Sequence, residues 1–129
     1  MSLYLDTSAA AKLIVDEQES EALVAYIDSS MNEQELVSST LLETELHRLA
    51  IRLEFDQSVV TDLLARVDLV DPPRSRFHEA GLLPGVHLRS LDALHLATAL
   101  RVDCELFLAY DKRLVDAARA VGPSVQSPS

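Results

Sequence analysis

The sequence predicts an α/β fold, a three-layer α/β/α sandwich with a short parallel sheet. Short apolar segments with β-compatible side chains alternate with longer segments in which apolar residues recur at helical spacing. Two of the short segments end in an aspartate that leads at once into a helix, as expected of parallel strands joined by helical crossovers. The 129 residues are enough for one hydrophobic core, so we expect a single domain spanning residues 1–129.

Composition limits the classes of function. Hydrophobic residues make up 48% of the sequence and aromatic residues only 5%, so aliphatic side chains must build the core. The net charge of −10 argues against a general nucleic-acid binder. The single cysteine, Cys104, cannot form an internal disulfide, and we recognise neither a signal peptide nor a membrane-spanning run. We therefore expect a cytoplasmic protein.

The first half of the chain is predicted to hold two strands and four helices. A strand at residues 3–6 is followed by helices at 9–15 and 22–27, a loop at 32–35, a minimal strand at 36–37, and helices at 42–53 and 59–67. Ser38, Ser39 and Thr40 are good N-cap residues for the third of these helices, whose leucines fall on one stripe.

The second half continues the alternation. A short apolar run at residues 69–70 is followed by a helix at 74–83, a loop at 86–89, a helix at 91–102, a strand at 105–110, a helix at 112–121 and a short edge strand at 124–126. Ser90 is expected to cap the helix at 91–102, which is apolar almost all round and therefore predicted to be buried. Gly122 and Pro123 end the last helix.

Acidic residues recur at four junctions between these elements. Asp6 and Asp111 each follow a predicted strand, so both should emerge at the carboxyl edge of a parallel sheet, where ligands bind in such folds. Asp92, and either Glu43 or Glu45, lie near the starts of helices that should begin at the same edge. Each acid alone could be a turn former, or could favour a helix dipole by about 0.3–1 kcal/mol. The recurrence of one arrangement favours a shared function.

Four carboxylates at one edge would repel one another unless a countercharge is present. No lysine cluster lies nearby in the sequence, and no cysteine or histidine group has the spacing of a zinc site. A hard divalent cation, Mg²⁺ or Mn²⁺, prefers oxygen ligands of this kind. Such a metal can activate water and stabilise charge on a transferring phosphate, so the pattern indicates metal-dependent phosphate chemistry.

Four segments of the sequence, in order, resemble the PIN domain family, and more narrowly the VapC-type toxins of bacterial toxin–antitoxin pairs. They are residues 4–9 (YLDTSA), 38–48 (SSTLLETELHR), 91–97 (LDALHLA) and 110–114 (YDKRL). The resemblance spans nearly the whole chain. It implies a ribonuclease with Mg²⁺ or Mn²⁺ at a cluster of acidic residues, RNA as substrate, an antitoxin protein as partner, and a homodimer.

The catalytic and metal-binding residues that the resemblance implies are Asp6, Glu45, Asp92 and Asp111. Glu45 is preferred to Glu43 because the glutamate of the family precedes an apolar residue and a nearby arginine, here Leu46 and Arg48. Asp116 is a rival to Asp111, although it also looks like an ordinary exposed helix residue.

Two further positions near these acids allow more than one interpretation. Thr7 or Ser8 could donate a hydrogen bond to a metal-bound carboxylate, or either could only cap the first helix. His95 lies three residues after Asp92 in the apolar helix. We expect it to be a packed, hydrogen-bonded core residue rather than a general base.

Two surfaces are candidates for contact with partners. The segment at residues 74–89 is locally basic and is either solvated surface or a contact for RNA phosphate, which would partly answer the objection from net charge. Its basic side chains are Arg74, Arg76, His78, His87 and Arg89. The helix with Leu23, Tyr26 and Ile27, and the region at residues 49–64, are expected to leave apolar surface for a dimer or an antitoxin segment.

Three other functions remain open from the sequence. The first is a PIN-like RNA-processing nuclease outside a toxin–antitoxin pair. The second is phosphoryl transfer of the phosphatase or response-regulator kind, which matches poorly because Ser8 stands where a phosphatase needs a second aspartate and Lys112 follows Asp111 directly. The third is a non-catalytic interaction module with solvated acids.

Overall fold

The computed structural model describes residues 2–30 and 35–129. Its strands are β1 (Ser2–Leu5), β2 (Glu35–Ser39), β3 (Asp68–Val70), β4 (Leu106–Leu108) and β5 (Val125–Gln126). They form one parallel sheet in the order β3-β2-β1-β4-β5, with β1 at the centre. This topology confirms the predicted parallel α/β fold.

Seven helices occur in the part of the chain that the structure describes. They are α1 (Thr7–Lys12), α2 (Ser20–Ser30), α3 (Leu41–Leu53), α4 (Gln57–Leu64), α5 (Arg74–Gly81), α6 (Ser90–Val102) and α7 (Lys112–Val121). None of them combines the length and the apolar character needed to cross a bilayer.

The side chains of β1 show how the helices cover the sheet. Successive residues of a strand point to opposite faces. Leu3 and Leu5 pack with α1, α2, α3 and α4 on one face, whereas Tyr4 packs with α6 and α7 on the other. All three side chains are fully buried. The sheet is therefore covered on both faces, and the three-layer arrangement is confirmed.

Asp6 marks the point where β1 becomes α1. Its backbone N–H donates to the carbonyl of Leu108 at 3.0 Å, so the hydrogen-bonded ladder with β4 reaches this residue. Its side chain then accepts from the backbone N–H of Ser8 at 3.0 Å, as an N-cap does. One residue thus completes the strand and opens the helix, which holds its carboxylate at the carboxyl edge of the sheet.

The second strand is longer than predicted. It begins at Glu35, while residues 32–34 of the predicted loop lie outside the described residues, and it continues through Ser38 and Ser39. The Ser38 hydroxyl donates to the carbonyl of Leu5 at 2.7 Å, so it bonds to the neighbouring strand rather than capping a helix. Ser39 does accept from the N–H of Leu41 at 3.1 Å at the start of α3.

Other boundaries shift by one to a few residues. Helix α1 begins at Thr7 rather than at residue 9, because Asp6 caps it directly. Ser90 is the first residue of α6 and Arg89 occupies the cap position, without a side-chain cap hydrogen bond. The strand predicted at residues 105–110 is regular only over Leu106–Leu108.

The expected apolar surface on α2 is wrong for two of its residues. Leu23 and Ile27 are buried and pack against the core on that face of the sheet, while Tyr26 is partly buried. The region of α3 and α4 does expose large apolar side chains, as expected. They are Ile51, Leu53, Phe55 and Val59.

Candidate active site

The four acids predicted from the sequence lie at the carboxyl edge of the sheet. Asp6 follows β1, Asp111 follows β4 and caps α7, Asp92 lies in the first turn of α6, and Glu45 lies one turn into α3. Burial, followed by the charges of Asp6 and Asp111 and, more weakly, of Glu45, raises the pKa of Asp92 to about 6. The structure therefore brings all four carboxylates into electrostatic contact.

Asp6 is the most buried of the four, with 1% of its surface exposed. Its Oδ2 accepts two hydrogen bonds from Ser8, one from the backbone N–H at 3.0 Å and one from the hydroxyl at 2.7 Å. Its Oδ1 is buried and has no hydrogen-bond partner among the described residues. Burial raises the pKa of Asp6, against the charge of His95 and the hydrogen bonds from Ser8. A buried carboxylate oxygen without a donor needs a further partner, which a bound cation or an ordered water would supply.

Ser8 connects this carboxylate to the neighbouring strand. Its hydroxyl donates to Asp6 Oδ2 and accepts from the backbone N–H of Tyr110 at 2.9 Å, just after β4. The capping role considered from the sequence belongs to Asp6, whereas Ser8 holds the carboxylate in place. Thr7 plays the corresponding part for a different acid, because its hydroxyl donates to Glu45 Oε1 at 2.8 Å.

Glu45 is held by a second set of hydrogen bonds. Its Oε1 lies 2.7 Å from Nε2 of His95 and accepts from Thr7, and its side chain is 21% exposed. Burial opposes ionisation of Glu45, but the hydrogen bond and charge of His95 and the hydrogen bond from Thr7 keep its pKa below the usual value. His95 is buried and hydrogen-bonded, as expected, but nothing in the sequence indicates that its partner is a site carboxylate.

The two rival acids lie apart from this hydrogen-bonded set. Glu43 is exposed in the first turn of α3. The side chain of Asp116 is 63% exposed and lies 4.0 Å from Nζ of Lys112, as an ordinary helix surface pair. Asp111 instead caps α7, where its Oδ1 accepts from the N–H of Leu114 at 3.1 Å, and its charge acts on Asp92.

The donor chemistry of the edge fits a hard divalent cation. Carboxylate oxygens are the ligands that Mg²⁺ and Mn²⁺ prefer, and the buried Oδ1 of Asp6 has no other partner among the described residues. Within residues 2–30 and 35–129, no three acidic, histidine or cysteine side chains are already as close as the ligands of a bound metal. Burial and the charges of Asp6 and Asp111 raise the pKa of Asp92, and those charges repel its own when no cation lies between them.

Two arginines that were not singled out from the sequence line a groove beside Glu45. Within the segment at residues 74–89, Arg76 lies 3.5 Å from Glu79, which also receives two hydrogen bonds from Arg101. A groove of about 430 Å³ runs beside Glu45 and is lined by Arg48 and Arg52. The signal in the sequence was their spacing of three and seven residues from Glu45, which puts all three side chains on one helix face.

A parallel three-layer α/β sheet with carboxylates gathered at its carboxyl edge is the arrangement of a PIN-like domain. The PIN domain family model matches residues 3–120. The chain belongs to the PIN domain family and, within it, to the VapC ribonucleases. Three relatives from Mycobacterium tuberculosis support the narrower placement: Ribonuclease VapC46 is 38% identical over 99% of this chain and 98% of its own, Ribonuclease VapC35 39% over 98% and 96%, and Ribonuclease VapC47 34% over 98% and 96%.

Solved structures show the same fold at low sequence identity. VapBC2 from Rickettsia felis, crystallised with a DNA fragment from its promoter, contains a chain that is 14% identical, with a TM-score of 0.80 and full coverage of both chains. VapC20 from Mycobacterium tuberculosis, a toxin that cleaves the sarcin-ricin loop, is 17% identical, with a TM-score of 0.73 over 89% of this chain and 94% of that one.

Proposed function

We propose that this protein is a metal-dependent endoribonuclease, a single nuclease domain that acts as the toxin of a toxin–antitoxin pair in the cytoplasm. Asp6, Glu45, Asp92 and Asp111 are its catalytic residues and the ligands of Mg²⁺ or Mn²⁺. The observation that carries the proposal is the buried Oδ1 of Asp6, which has no hydrogen-bond partner among the described residues at an edge shared with three other acids. The relatives named as VapC ribonucleases support RNA as the substrate.

The protein side chains divide the chemical work. A divalent ion, when bound, activates water and neutralises charge on the phosphate under attack. Asp6 provides a fixed carboxylate, because Ser8 bonds its Oδ2 twice and leaves Oδ1 available. Without metal, burial and the charges of Asp6 and Asp111 raise the pKa of Asp92 to about 6, so a divalent cation that binds this carboxyl near neutral pH or below displaces a proton from it.

Removal of metal provides the direct test. The purified protein should cleave RNA in Mg²⁺ or Mn²⁺, lose that activity when EDTA is added, and regain it when excess Mn²⁺ is restored. Cleavage products would be followed on denaturing gels with a 5′-labelled RNA. Undiminished cleavage in EDTA would refute metal dependence, and a folded protein that binds no Mn²⁺ by calorimetry would favour a non-catalytic interaction module.

Arg48 and Arg52 are proposed to hold RNA phosphate in the groove beside Glu45. Arg48→Ala/Arg52→Ala should raise the KM for RNA about tenfold or more with kcat little changed, and should lower the salt dependence of binding by roughly one unit of slope per arginine. Fluorescence anisotropy with a labelled RNA at several salt concentrations measures the slope. Arg66→Ala, an exposed arginine outside the groove, is the matched control. An unchanged KM would show that RNA does not bind in this groove.

The partners proposed are an antitoxin protein and a second copy of the chain. The exposed apolar side chains of α3 and α4 provide surface for such contacts. The Rickettsia felis structure is of a VapBC assembly, which supports the antitoxin. Co-purification with the product of the adjacent reading frame tests this partner, and it also separates a toxin from an RNA-processing nuclease that works alone. Light scattering on the isolated chain tests the homodimer.

A further inference from the structure

His95 is a fully buried polar side chain in the middle of the apolar helix α6. Its ring connects the core between the sheet and helices α6 and α7 to the acidic edge. Nδ1 lies 2.7 Å from the phenol oxygen of Tyr4, on the central strand, and Nε2 lies 2.7 Å from Glu45 Oε1. Thr7 Oγ1 lies 3.1 Å from the same Nε2. Its partners are therefore one core residue and two residues of the site.

The hydrogen atoms in this network can be assigned from the partners. Glu45 Oε1 already accepts from the Thr7 hydroxyl at 2.8 Å, and an ionised glutamate can only accept hydrogen bonds. A contact of 2.7 Å with Nε2 therefore requires that Nε2 carry the proton. Burial raises the pKa of the Tyr4 phenol, which stays protonated and can donate to Nδ1. If Nδ1 is protonated as well, Nε2 still donates to Glu45.

Both donors to Glu45 act on the same oxygen. His95 and Thr7 each bond to Oε1, and no hydrogen bond within the described residues falls on Oε2. A carboxylate held in this way keeps one oxygen engaged and the other available. In metal sites, residues that do not touch the metal commonly hydrogen-bond to the ligands and fix their orientation. His95 and Thr7 would act on Glu45 in this way.

We propose that His95 is a positioning residue, which donates from Nε2 to Glu45 Oε1 and fixes this carboxylate so that Oε2 remains available to the divalent cation. The inference rests on the proposed function of the acidic edge. His95 is no catalytic residue, because its ring is wholly buried and both ring nitrogens are already engaged by protein atoms. Tyr4 hydrogen-bonds to Nδ1 on the opposite side of the ring and packs edge-on against it, which holds the ring in the orientation that the bond to Glu45 requires.

The experiment compares Mn²⁺ affinity by calorimetry in three variants. Tyr4→Phe/His95→Leu removes the donor to Glu45 and also the phenol that would otherwise be left unpaired, so the core stays apolar and packed. We expect this pair to weaken Mn²⁺ binding about tenfold or more, the usual cost of losing an outer partner of a metal ligand. His95→Gln places an amide donor near the position of Nε2 and should restore most of the affinity.

Thr98→Val is the matched control. Thr98 is also fully buried on α6, one turn further along, and its hydroxyl bonds to the carbonyl of Leu94 rather than to a site residue. Its substitution should leave Mn²⁺ affinity at the wild-type value. A folded Tyr4→Phe/His95→Leu protein with unchanged Mn²⁺ affinity would overturn the proposal, as would His95→Gln losing as much affinity as that pair.

The wild-type protein gives a further readout that needs no variant to fold. In ¹⁵N NMR spectra of the histidine rings, Nε2 of His95 should be protonated, and its signal should shift on addition of Mg²⁺. An unprotonated Nε2, or an Nε2 signal that does not shift at saturating Mg²⁺, would overturn the positioning role of His95. Wild-type protein that binds Mn²⁺ but cleaves no RNA would refute the nuclease function alone, because the His95 proposal is judged on metal binding.

Discussion

Asp6→Asn is expected to abolish RNA cleavage and leave a folded protein. Asparagine keeps an acceptor for the N–H and hydroxyl of Ser8 but removes the charge at the buried end of the site. Loss of an outer partner of a metal ligand typically costs about 10- to 100-fold, and loss of a direct ligand should cost more, so we expect cleavage to fall by at least about 100-fold. Initial rates on a labelled RNA in saturating Mn²⁺ measure the loss.

The stability of the Asp6→Asn protein makes this test specific. A carboxylate that is 1% exposed, with one oxygen lacking a partner among the described residues, opposes folding when no metal is bound. The variant should therefore unfold in EDTA at the same temperature as wild type or at a higher one. Mn²⁺ should raise the unfolding temperature of wild type and have little effect on the variant.

Asp116→Asn is the control for that experiment, because this acid is exposed on α7 and pairs with Lys112. It should cleave RNA at the wild-type rate and respond normally to Mn²⁺. If Asp6→Asn cleaves as fast as wild type, the edge after β1 is not the active site. If Asp116→Asn is the inactive variant instead, the site lies along α7.

Mn²⁺ affinity is expected to fall steeply as the solution becomes acidic. The pKa of Asp92 is raised to about 6, and a metal must displace that proton when the carboxyl is protonated. Between about pH 7.5 and about pH 5 the affinity should therefore fall about tenfold, since a pH one unit below the pKa leaves about one tenth of the carboxyls ionised. Calorimetric titrations of Mn²⁺ at several pH values measure the change.

The same carboxyl contributes to the pH dependence of stability without metal. Because the pKa of Asp92 in the folded protein lies above its ordinary value of 3.8, the folded state binds this proton more tightly than the unfolded state does. Its stabilising contribution is fully present below about pH 4 and is lost as the pH rises through about 6. The raised pKa values of Asp6 and His95 act in the same direction, whereas the lowered pKa of Glu45 acts in the opposite one.

Thermal unfolding in EDTA provides the measurement for this second effect. The unfolding temperature should decrease between about pH 5 and about pH 7, and Asp92→Asn should flatten that decrease. Glu43→Gln, a change at an exposed acid of α3, should leave the profile unchanged. A wild-type unfolding temperature that rises over this interval would show that another group dominates.

Local patterns in the sequence were enough to predict the three-layer fold and the acidic residues at the carboxyl edge of the sheet. The aspartates after β1 and β4, and the alternation of apolar segments, are visible without knowledge of tertiary contacts. Helix spacing could not choose between Glu43 and Glu45, because both flank the same leucine stripe. That choice came from the resemblance to the family, and the position of each side chain depends on how α3 packs against α1 and α6.

Hydrogen bonds between residues far apart in the chain could not be predicted from the sequence. Ser38 looked like a helix cap because serine favours that position, but its hydroxyl bonds to Leu5 on the adjacent strand. His95 was correctly expected to be packed and hydrogen-bonded, yet its partners Tyr4 and Glu45 are 91 and 50 positions away. Likewise, the stretch at residues 74–89 is basic in composition, whereas the arginines that line the groove beside Glu45 lie on α3.

The central position of β1 has a consequence for when the protein becomes dangerous to its host. Tyr4 and Leu5 leave the ribosome about a hundred residues before their sheet neighbours Phe107 and Leu108. Asp6 and Asp111 therefore come together only after the segment that carries β4 has been synthesised, because β1 cannot pair with a strand that does not yet exist. A nascent chain with the proposed activity is harmless until then, and a partner already present in the cell has that interval in which to bind it.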